Sequence, residues 1–102
     1  MKLCILLLTC ANSEEADKIS QSLLTKHLIV CAKKLPVSSS FLWKGKIDSA
    51  SEILLIMDSW QEHFDTIENE IRKIHSYETF TLFSIPVNNT TKKVKEWIKG
   101  EI

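Results

Sequence analysis

The sequence is poor in glycine, in proline and in unbalanced charge. Two glycines and two prolines leave no flexible linker, so residues 1–102 are expected to form a single domain. Lys plus Arg and Asp plus Glu both number 13, which leaves no basic excess for a phosphate backbone. No apolar stretch is long enough to span a membrane. We therefore expect neither nucleic acid nor a membrane as a partner.

Cysteine is also scarce, and its pattern bears on the compartment. The three cysteines are an odd number without paired spacing. The apolar run 3–8 after Lys2 is similar to the start of a secretion signal, but it is short, and Thr9 is a poor residue beside a cleavage point. Free thiols in a reducing compartment, and hence a cytoplasmic location, are expected.

Apolar periodicity predicts alternating strands and helices. A continuous apolar run indicates a buried strand, and apolar residues three and four apart indicate a helix with one buried side. The expected strands are 3–8, 28–32 continuing through 43, 52–57 and 77–85, and the expected helices are 13–26, 59–75 and a short last helix at residues 94–98. The order β-α-β-β-α-β-α predicts an α+β, ferredoxin-like sandwich with helices on one face of an antiparallel sheet.

Local signals refine this arrangement. Asn12 followed by Glu15 predicts the cap of the first helix, and Ser59 followed by Glu62 predicts a capping box for the second. Pro36 indicates an edge strand or a bulge. Residues 48–51 have turn composition and predict a long hairpin between the second and third strands, with a further turn or kink at 44–46.

Short motifs run through the chain in a fixed order. They are Thr9-Cys10, Cys31-Ala32, Pro36, Trp-Lys-Gly-Lys-Ile at 43–47, Glu-Ile-Leu-Leu-Ile at 52–56, His-Ser-Tyr-Glu at 75–78, Ile-Pro-Val at 85–87, and Trp97. In order and spacing they resemble the CutA divalent-cation tolerance proteins over nearly the whole chain. The resemblance implies a ferredoxin-like protomer in a tight homotrimer, related in architecture to the PII signalling proteins, with hairpins pairing between subunits.

The resemblance also implies a metal role and no known reaction. Copper ligands in bacterial relatives are a cysteine after the first strand and histidines before a Pro-Tyr step, which correspond here to Cys10 and His75. Glu78 is the nearby carboxylate. No cofactor is expected to be required, and Cu²⁺ or another divalent cation is the expected ligand. Cys10 precedes a helix N-terminus, where the dipole can lower the pKa of a thiol.

The sequence departs from the family pattern at three places. Ile74 stands where some relatives have a second histidine, and Ser76 stands where proline commonly precedes tyrosine. Asp58-Ser59 stands where a basic residue and threonine commonly follow the third strand. The loss of one imidazole leaves fewer soft ligands for copper.

Structural alternatives exist for each candidate. Cys10 can be a small packed side chain, and His75 can interact with the negative end of a helix dipole. Trp43, Lys46 and Tyr77 can line a cleft between subunits for a small anion or metabolite. Alternatively, Trp43 anchors an interface while Lys46 forms a surface ion pair with Glu78.

Catalysis has no support in the sequence. Cys10 and His75 lack an identifiable third partner, and no glycine-rich phosphate loop is present. An RNA-recognition domain shares the element order, but strand 52–57 offers no aromatic platform for bases. The predicted function is divalent-metal tolerance by binding. The alternative is a trimeric, PII-like signalling or scaffold protein that binds a small metabolite at its subunit interface.

Overall fold

The computed structural model describes residues 1–102 and has the predicted order of elements. The strands are β1 (Leu3–Cys10), β2 (Cys31–Trp43), β3 (Lys46–Trp60) and β4 (Leu82–Pro86), and the helices are α1 (Ser13–Thr25), α2 (Phe64–Arg72) and α3 (Lys92–Glu101), with a 3-10 turn at Gln61–His63. The sheet order is β2-β3-β1-β4, and every neighbouring pair is antiparallel. The predicted ferredoxin-like α+β fold is confirmed.

The core lies between one face of the sheet and the helices α1 and α2. Alternate residues of β1 are fully buried, as expected for a strand with period two. Each such aliphatic side chain contributes about 1.5–3 kcal/mol to the stability of the fold. The core consists of Cys4, Leu6, Leu8 and Cys10 of β1, Leu55 and Met57 of β3, Ala16, Ile19 and Leu23 of α1, Ile67 and Ile71 of α2, and Ile29.

The hairpin of β2 and β3 is longer than the sequence suggested, and its turn lies elsewhere. The two strands pair from Cys31↔Asp58 out to Trp43↔Lys46, and the chain reverses at Lys44 and Gly45, which have φ of 51° and 79°. Residues 48–51 lie within β3, so the turn predicted there is wrong. Within β3, only Ile53–Trp60 pairs with β1, so the outer hairpin extends beyond the core. Its polar residues face solvent on both sides, which gives them the composition of a turn.

Pro36 lies in β2, which pairs only with β3 and is an edge strand, as predicted. The strand begins at Cys31, three residues later than expected. The residues from Lys26 to Val30 form the connection between the end of α1 and the start of β2. His27 takes a left-handed conformation in this connection, with φ of 56°. Because β2 is at the edge of the sheet, Pro36 can lie at a position where no backbone N–H is needed for pairing.

The predicted capping box of the second helix is absent. Ser59 belongs to β3, and its hydroxyl donates to the carbonyl of Leu28 at 2.6 Å. The Glu62 carboxylate accepts from the backbone N–H of Lys2 at 3.0 Å. Both side chains therefore bond to segments that are distant in sequence, and neither caps a helix. Helix α2 begins only at Phe64.

The segment after α2 also differs from expectation. The helix ends at Arg72 and β4 begins at Leu82, whereas the sequence predicted a helix to His75 and a strand from Tyr77. The intervening loop folds back onto the end of β1. Aromatic residues in this loop pack against His75 instead of pairing in the sheet, which explains the strand-like composition.

The face of the sheet opposite α1 and α2, here called the open face, is not covered by the chain. The register places Ile5 and Leu7 of β1 beside Ile85 and Phe83 of β4 on this face. Phe83 is 61% exposed and Ile85 is 46% exposed. Separately, the helices of the structure are all too short or too polar to cross a membrane.

Candidate functional site

Three ligand-forming side chains meet at the end of β1. Cys10 ends the strand, Glu15 lies in the first turn of α1, and His75 lies in the loop after α2. The thiol sulfur, a carboxylate oxygen and a ring nitrogen all lie within 4.8 Å of one another. All three residues are buried. We call them the Cys10 cluster.

Both ring nitrogens of His75 have defined partners. Nε2 lies 2.8 Å from the carbonyl oxygen of Thr9, and the backbone N–H of Tyr77 donates to Nδ1 at 3.0 Å. A carbonyl only accepts, so the network assigns the ring hydrogen to Nε2 and the lone pair to Nδ1. The His75 ring also stacks on Phe80, with centroids 5.1 Å apart. The side chain of His75 is therefore held by the loop and by β1, while its backbone N–H donates to the carbonyl of Ile71 in α2 at 2.8 Å.

Glu15 holds the cluster together. Its carboxylate accepts from the backbone N–H of Ala11 at 2.7 Å and from that of Ser76. Burial raises the pKa of the carboxyl, but the hydrogen bonds from Ala11 and Ser76 and the neighbouring His75 outweigh it, so the pKa lies below its usual range. The carboxylate is ionised at neutral pH and joins the start of α1 to the distant loop.

Cys10 carries a protonated thiol at neutral pH. Burial, together with the charges of Glu15 and Glu52, raises the pKa of the thiol to about 12. This is the reverse of the lowering expected from the nearby helix N-terminus, because desolvation and two carboxylates outweigh the dipole. Free of metal, the thiol is a weak nucleophile.

Tyr77 extends the network towards the hairpin. Its hydroxyl donates to the Glu52 carboxylate of β3 at 2.8 Å. Burial and this carboxylate raise the pKa of the phenol to about 12. Since the Tyr77 backbone N–H bonds to His75, one residue links the Cys10 cluster to β3.

The remaining predicted residues lie outside the cluster. Glu78 is exposed, and its backbone carbonyl accepts from Arg72 at 3.4 Å. Trp43 and Lys46 face each other at the hairpin end, six residues along β3 from Glu52, or roughly 20 Å. A single chain therefore brings Cys10 and His75 together but does not bring Trp43 and Lys46 to Tyr77.

Sequence reasoning missed the role of Glu15. It identified Glu15 as the partner of Asn12, and the Asn12 side chain does accept from the Glu15 backbone N–H at 2.9 Å. One feature of the sequence could have indicated this role. The end of a strand and the first turn of the next helix lie close together whenever the connection between them is short, which places Glu15 near Cys10. The contact with Ser76 spans most of the chain and has no local signal.

The chemistry of the cluster fits a soft or borderline divalent metal. A thiolate, an imidazole and a carboxylate together suit copper or zinc better than magnesium or calcium, which prefer oxygen ligands. Three protein ligands with a fourth position for water is a common arrangement for zinc.

Solved structures share this fold. The structure of the CutA protein from Archaeoglobus fulgidus is 32% identical, has a TM-score of 0.95 and matches 97% of both chains. CutA from Xylella fastidiosa is 25% identical, has a TM-score of 0.94, and matches 100% of this chain and 99% of its own.

One of these structures corrects the expected location. The Archaeoglobus fulgidus protein is described as periplasmic, so the cytoplasmic location inferred from free cysteines is wrong. The inference failed because Cys4 and Cys10 are fully shielded from solvent, and Cys31 is half-buried. Buried thiols with raised pKa values oxidise slowly in any compartment, so their presence does not report a reducing one.

Sequence comparisons agree with the structural ones. Divalent-cation tolerance protein CutA of Archaeoglobus fulgidus is 35% identical over 91 residues, which are 89% of each chain. Its counterpart in Thermotoga maritima is 32% identical over 94 residues, covering 92% of this chain and 93% of its own. The family model described as CutA1 divalent ion tolerance protein matches residues 4–101, and the chain therefore belongs to the CutA1 divalent ion tolerance family.

Proposed function

We propose that this protein acts in divalent-metal tolerance by binding a soft or borderline cation, copper in particular, through Cys10, Glu15 and His75. The observation that carries the proposal is the convergence of sulfur, oxygen and nitrogen donors within 4.8 Å of one another. Glu15 replaces Glu78 as the carboxylate in this ligand set, because Glu78 is exposed and outside the cluster.

The orientation of His75 supports this assignment. Histidines that bind metals usually donate their second ring N–H to a carbonyl or carboxylate, which fixes the ring and raises its basicity. His75 has this arrangement, with Nε2 on the Thr9 carbonyl. Its Nδ1 lies 3.7 Å from Glu15 Oε2, and the Nδ1 lone pair accepts from the backbone N–H of Tyr77. A metal bound at Nδ1 would have to displace this N–H.

The proposed action is binding without catalysis. A thiol with a pKa near 12 is not an activated nucleophile. His75 Nδ1, the lone pair that would serve as a base, accepts from Tyr77. The cluster therefore has ligands but no prepared nucleophile and base.

Metal binding is expected to release about one proton and to tighten by about tenfold per pH unit across the neutral range. The thiol is protonated without metal, because its pKa is raised to about 12, and it is a thiolate in the complex. Calorimetric titration of Cu²⁺ in two buffers with different ionisation enthalpies counts the proton. An affinity independent of pH, without proton release, would exclude Cys10 as a ligand and contradict the proposal.

We further propose that the protein assembles as a homotrimer. The support is the apolar surface that one chain leaves uncovered on the open face and along the outer hairpin. The exposed apolar residues there are Leu35, Phe41, Leu42, Trp43, Ile47, Phe83 and Ile85. Association of copies would bury this surface and would allow one hairpin to reach a neighbouring subunit.

Mass measured by light scattering is expected to be three times the 11.7 kDa of the chain. Changing Phe83 to glutamate is expected to shift the protein towards monomer, because the charge would be desolvated at the interface. Trp97→Glu is a control, since Trp97 is similarly exposed at 47% but belongs to α3. A monomeric wild type would disprove the assembly.

The alternative function is a trimer that senses a small metabolite at its subunit interface. The observation that favours it is a cleft of about 410 Å³ beside Glu52, between the start of α1 and the hairpin. Lys46 makes no ion pair and Trp43 is 51% exposed, so both are available to a neighbouring subunit. A thermal-shift panel of metabolites separates the two functions, because a selective shift without metal would favour sensing.

A further inference from the structure

A second cavity lies at the opposite end of β1 from the Cys10 cluster. Its volume is about 590 Å³, within the range of small-molecule sites. Seven residues along β1 separate Leu3 from Cys10, or roughly 23 Å. We call this cavity the α3 groove. It is formed by the start of β1, the end of β3, the segment after β4 and one side of α3.

The α3 groove collects lysines that have no acidic partner. Six lysines of the chain make no ion pair, and they are Lys2, Lys44, Lys46, Lys93, Lys95 and Lys99. Half of this set, Lys2, Lys95 and Lys99, lines the groove. Lys95 and Lys99 are four residues apart and thus lie on one side of α3. In a chain with zero net charge, this concentration is a local positive field.

No carboxylate lines the groove to neutralise that field. The nearby Glu62 accepts from the backbone N–H of Lys2 at 3.0 Å and is not among the lining residues. The groove therefore presents the ammonium groups of Lys95 and Lys99 without a carboxylate partner, and that of Lys2 with only the nearby charge of Glu62. Half of the twelve lysines of the chain form an ion pair.

Neutral donors and apolar surface complete the α3 groove. Asn88 and Thr90 line it, and their side chains make no hydrogen bond within the protein. Trp60 also lines it and is 5% exposed. Its indole N–H makes no hydrogen bond within the protein and is open to solvent, because no buried polar side-chain atom lacks a partner. Leu3 and Pro86 add apolar surface. This combination matches a ligand with an apolar part and several oxygen acceptors.

We infer that the α3 groove binds a small anion that carries two or more phosphate or carboxylate groups. The ammonium groups of Lys2, Lys95 and Lys99 contact the anionic groups, and the ring of a ligand such as ADP lies against Trp60. Anion binding in the α3 groove does not involve the Cys10 cluster. The anion proposal can therefore be tested separately from the metal proposal.

The test is a titration of the ¹⁵N-labelled protein with ADP, citrate and pyrophosphate. The three tryptophans give three indole N–H signals. The Trp60 signal is expected to shift saturably with at least one of these anions, while that of Trp43, at the far hairpin end, stays constant. Raised salt should weaken binding, since the contacts are charged.

A matched pair of variants locates the site. Lys95→Gln with Lys99→Gln removes two unpaired lysines from the groove, and Lys93→Gln with Lys44→Gln removes two unpaired lysines elsewhere. All four are exposed, so both variants are expected to fold. The first pair is expected to weaken binding by about tenfold or more, because a charge-assisted hydrogen bond contributes more than a neutral one. The second pair is expected to leave it within about twofold.

Two results would overturn the inference. One is the absence of saturable shifts with all three anions at millimolar concentration. The other is equal weakening by both variant pairs, which would mean that net charge alone attracts the anions. Citrate binding without ADP or pyrophosphate binding would support the inference and assign carboxylates as the recognised groups, and the converse would assign phosphates.

Discussion

Replacing Glu15 with alanine is expected to lower the free energy of unfolding by about 3–5 kcal/mol, one of the two largest effects among single changes to this chain. The carboxylate is buried and accepts backbone N–H groups from Ala11 and Ser76. Alanine leaves both donors without a partner in the protein, beside a cluster whose side chains are buried. It also releases the loop that carries His75 from the start of α1.

The matched control is the neighbouring residue. Glu14 is exposed, and its carboxylate forms an i,i+4 pair with Lys18 at 3.5 Å. Glu14→Ala is expected to change stability by less than about 0.5 kcal/mol. Urea unfolding of both variants at equal protein concentration measures the difference. Similar losses in the two variants would show that Glu15 has no structural role beyond that of a surface carboxylate.

The effect of Glu15 is also expected to depend on pH. Its pKa is lower in the folded protein than in the unfolded chain, so its stabilisation is complete above the unfolded value. The stabilisation is lost as pH falls through the folded value. The difference in stability between wild type and Glu15→Ala should therefore shrink in acid and remain constant through neutral pH.

Changing Cys10 or His75 to alanine is expected to weaken Cu²⁺ binding by at least about a hundredfold, because each change removes a direct ligand and even the loss of an outer partner costs 10–100-fold. Calorimetric titration of the purified variants measures this, with Zn²⁺ as a second metal. Stoichiometric binding in the wild type that is lost in both variants would establish the metal site.

Two control variants separate ligation from packing. Cys4 is a second fully buried thiol on the same face of β1, so Cys4→Ala removes the same sulfur from the core without touching the cluster. Glu78→Ala removes the exposed carboxylate that the sequence suggested. Both are expected to keep wild-type affinity. Binding that survives Cys10→Ala and His75→Ala would mean that these residues are structural, and the metal proposal would be wrong.

The parts of the fold that could be predicted are those with local causes. The continuous apolar run that predicts β1 and the cap at Asn12 are determined within a few residues, and the strand and the cap are both confirmed. The ferredoxin-like order of elements follows from such segments. Pro36, through its missing N–H, likewise indicated an edge strand or a bulge, and the structure has the edge strand.

The errors arise where distant contacts override local composition. Ser59 and Glu62 have the spacing of a capping box, but each bonds to a segment far away in sequence. Residues 48–51 are polar because the outer hairpin projects beyond the core, and not because the chain turns there.

The candidate site shows the same division. Cys10 and His75 were identified through a family resemblance, and the structure brings them together. Glu15 was identified only as a cap, because its bond to Ser76 depends on a loop 61 residues away. The raised pKa of Cys10 was not predictable either, since it requires knowledge of burial and of two carboxylates.

The central position of β1 has a consequence for the order in which the protein can be completed during synthesis. Its two neighbours in the sheet are Ile53–Trp60 of β3 and Leu82–Pro86 of β4, so the strand translated first gains its last partner near the end of translation. Until then one edge of an apolar strand is unpaired on the nascent chain, which is the state that invites aggregation. The contacts that define this fold are non-local, and the ribosome must release most of the chain before they can form.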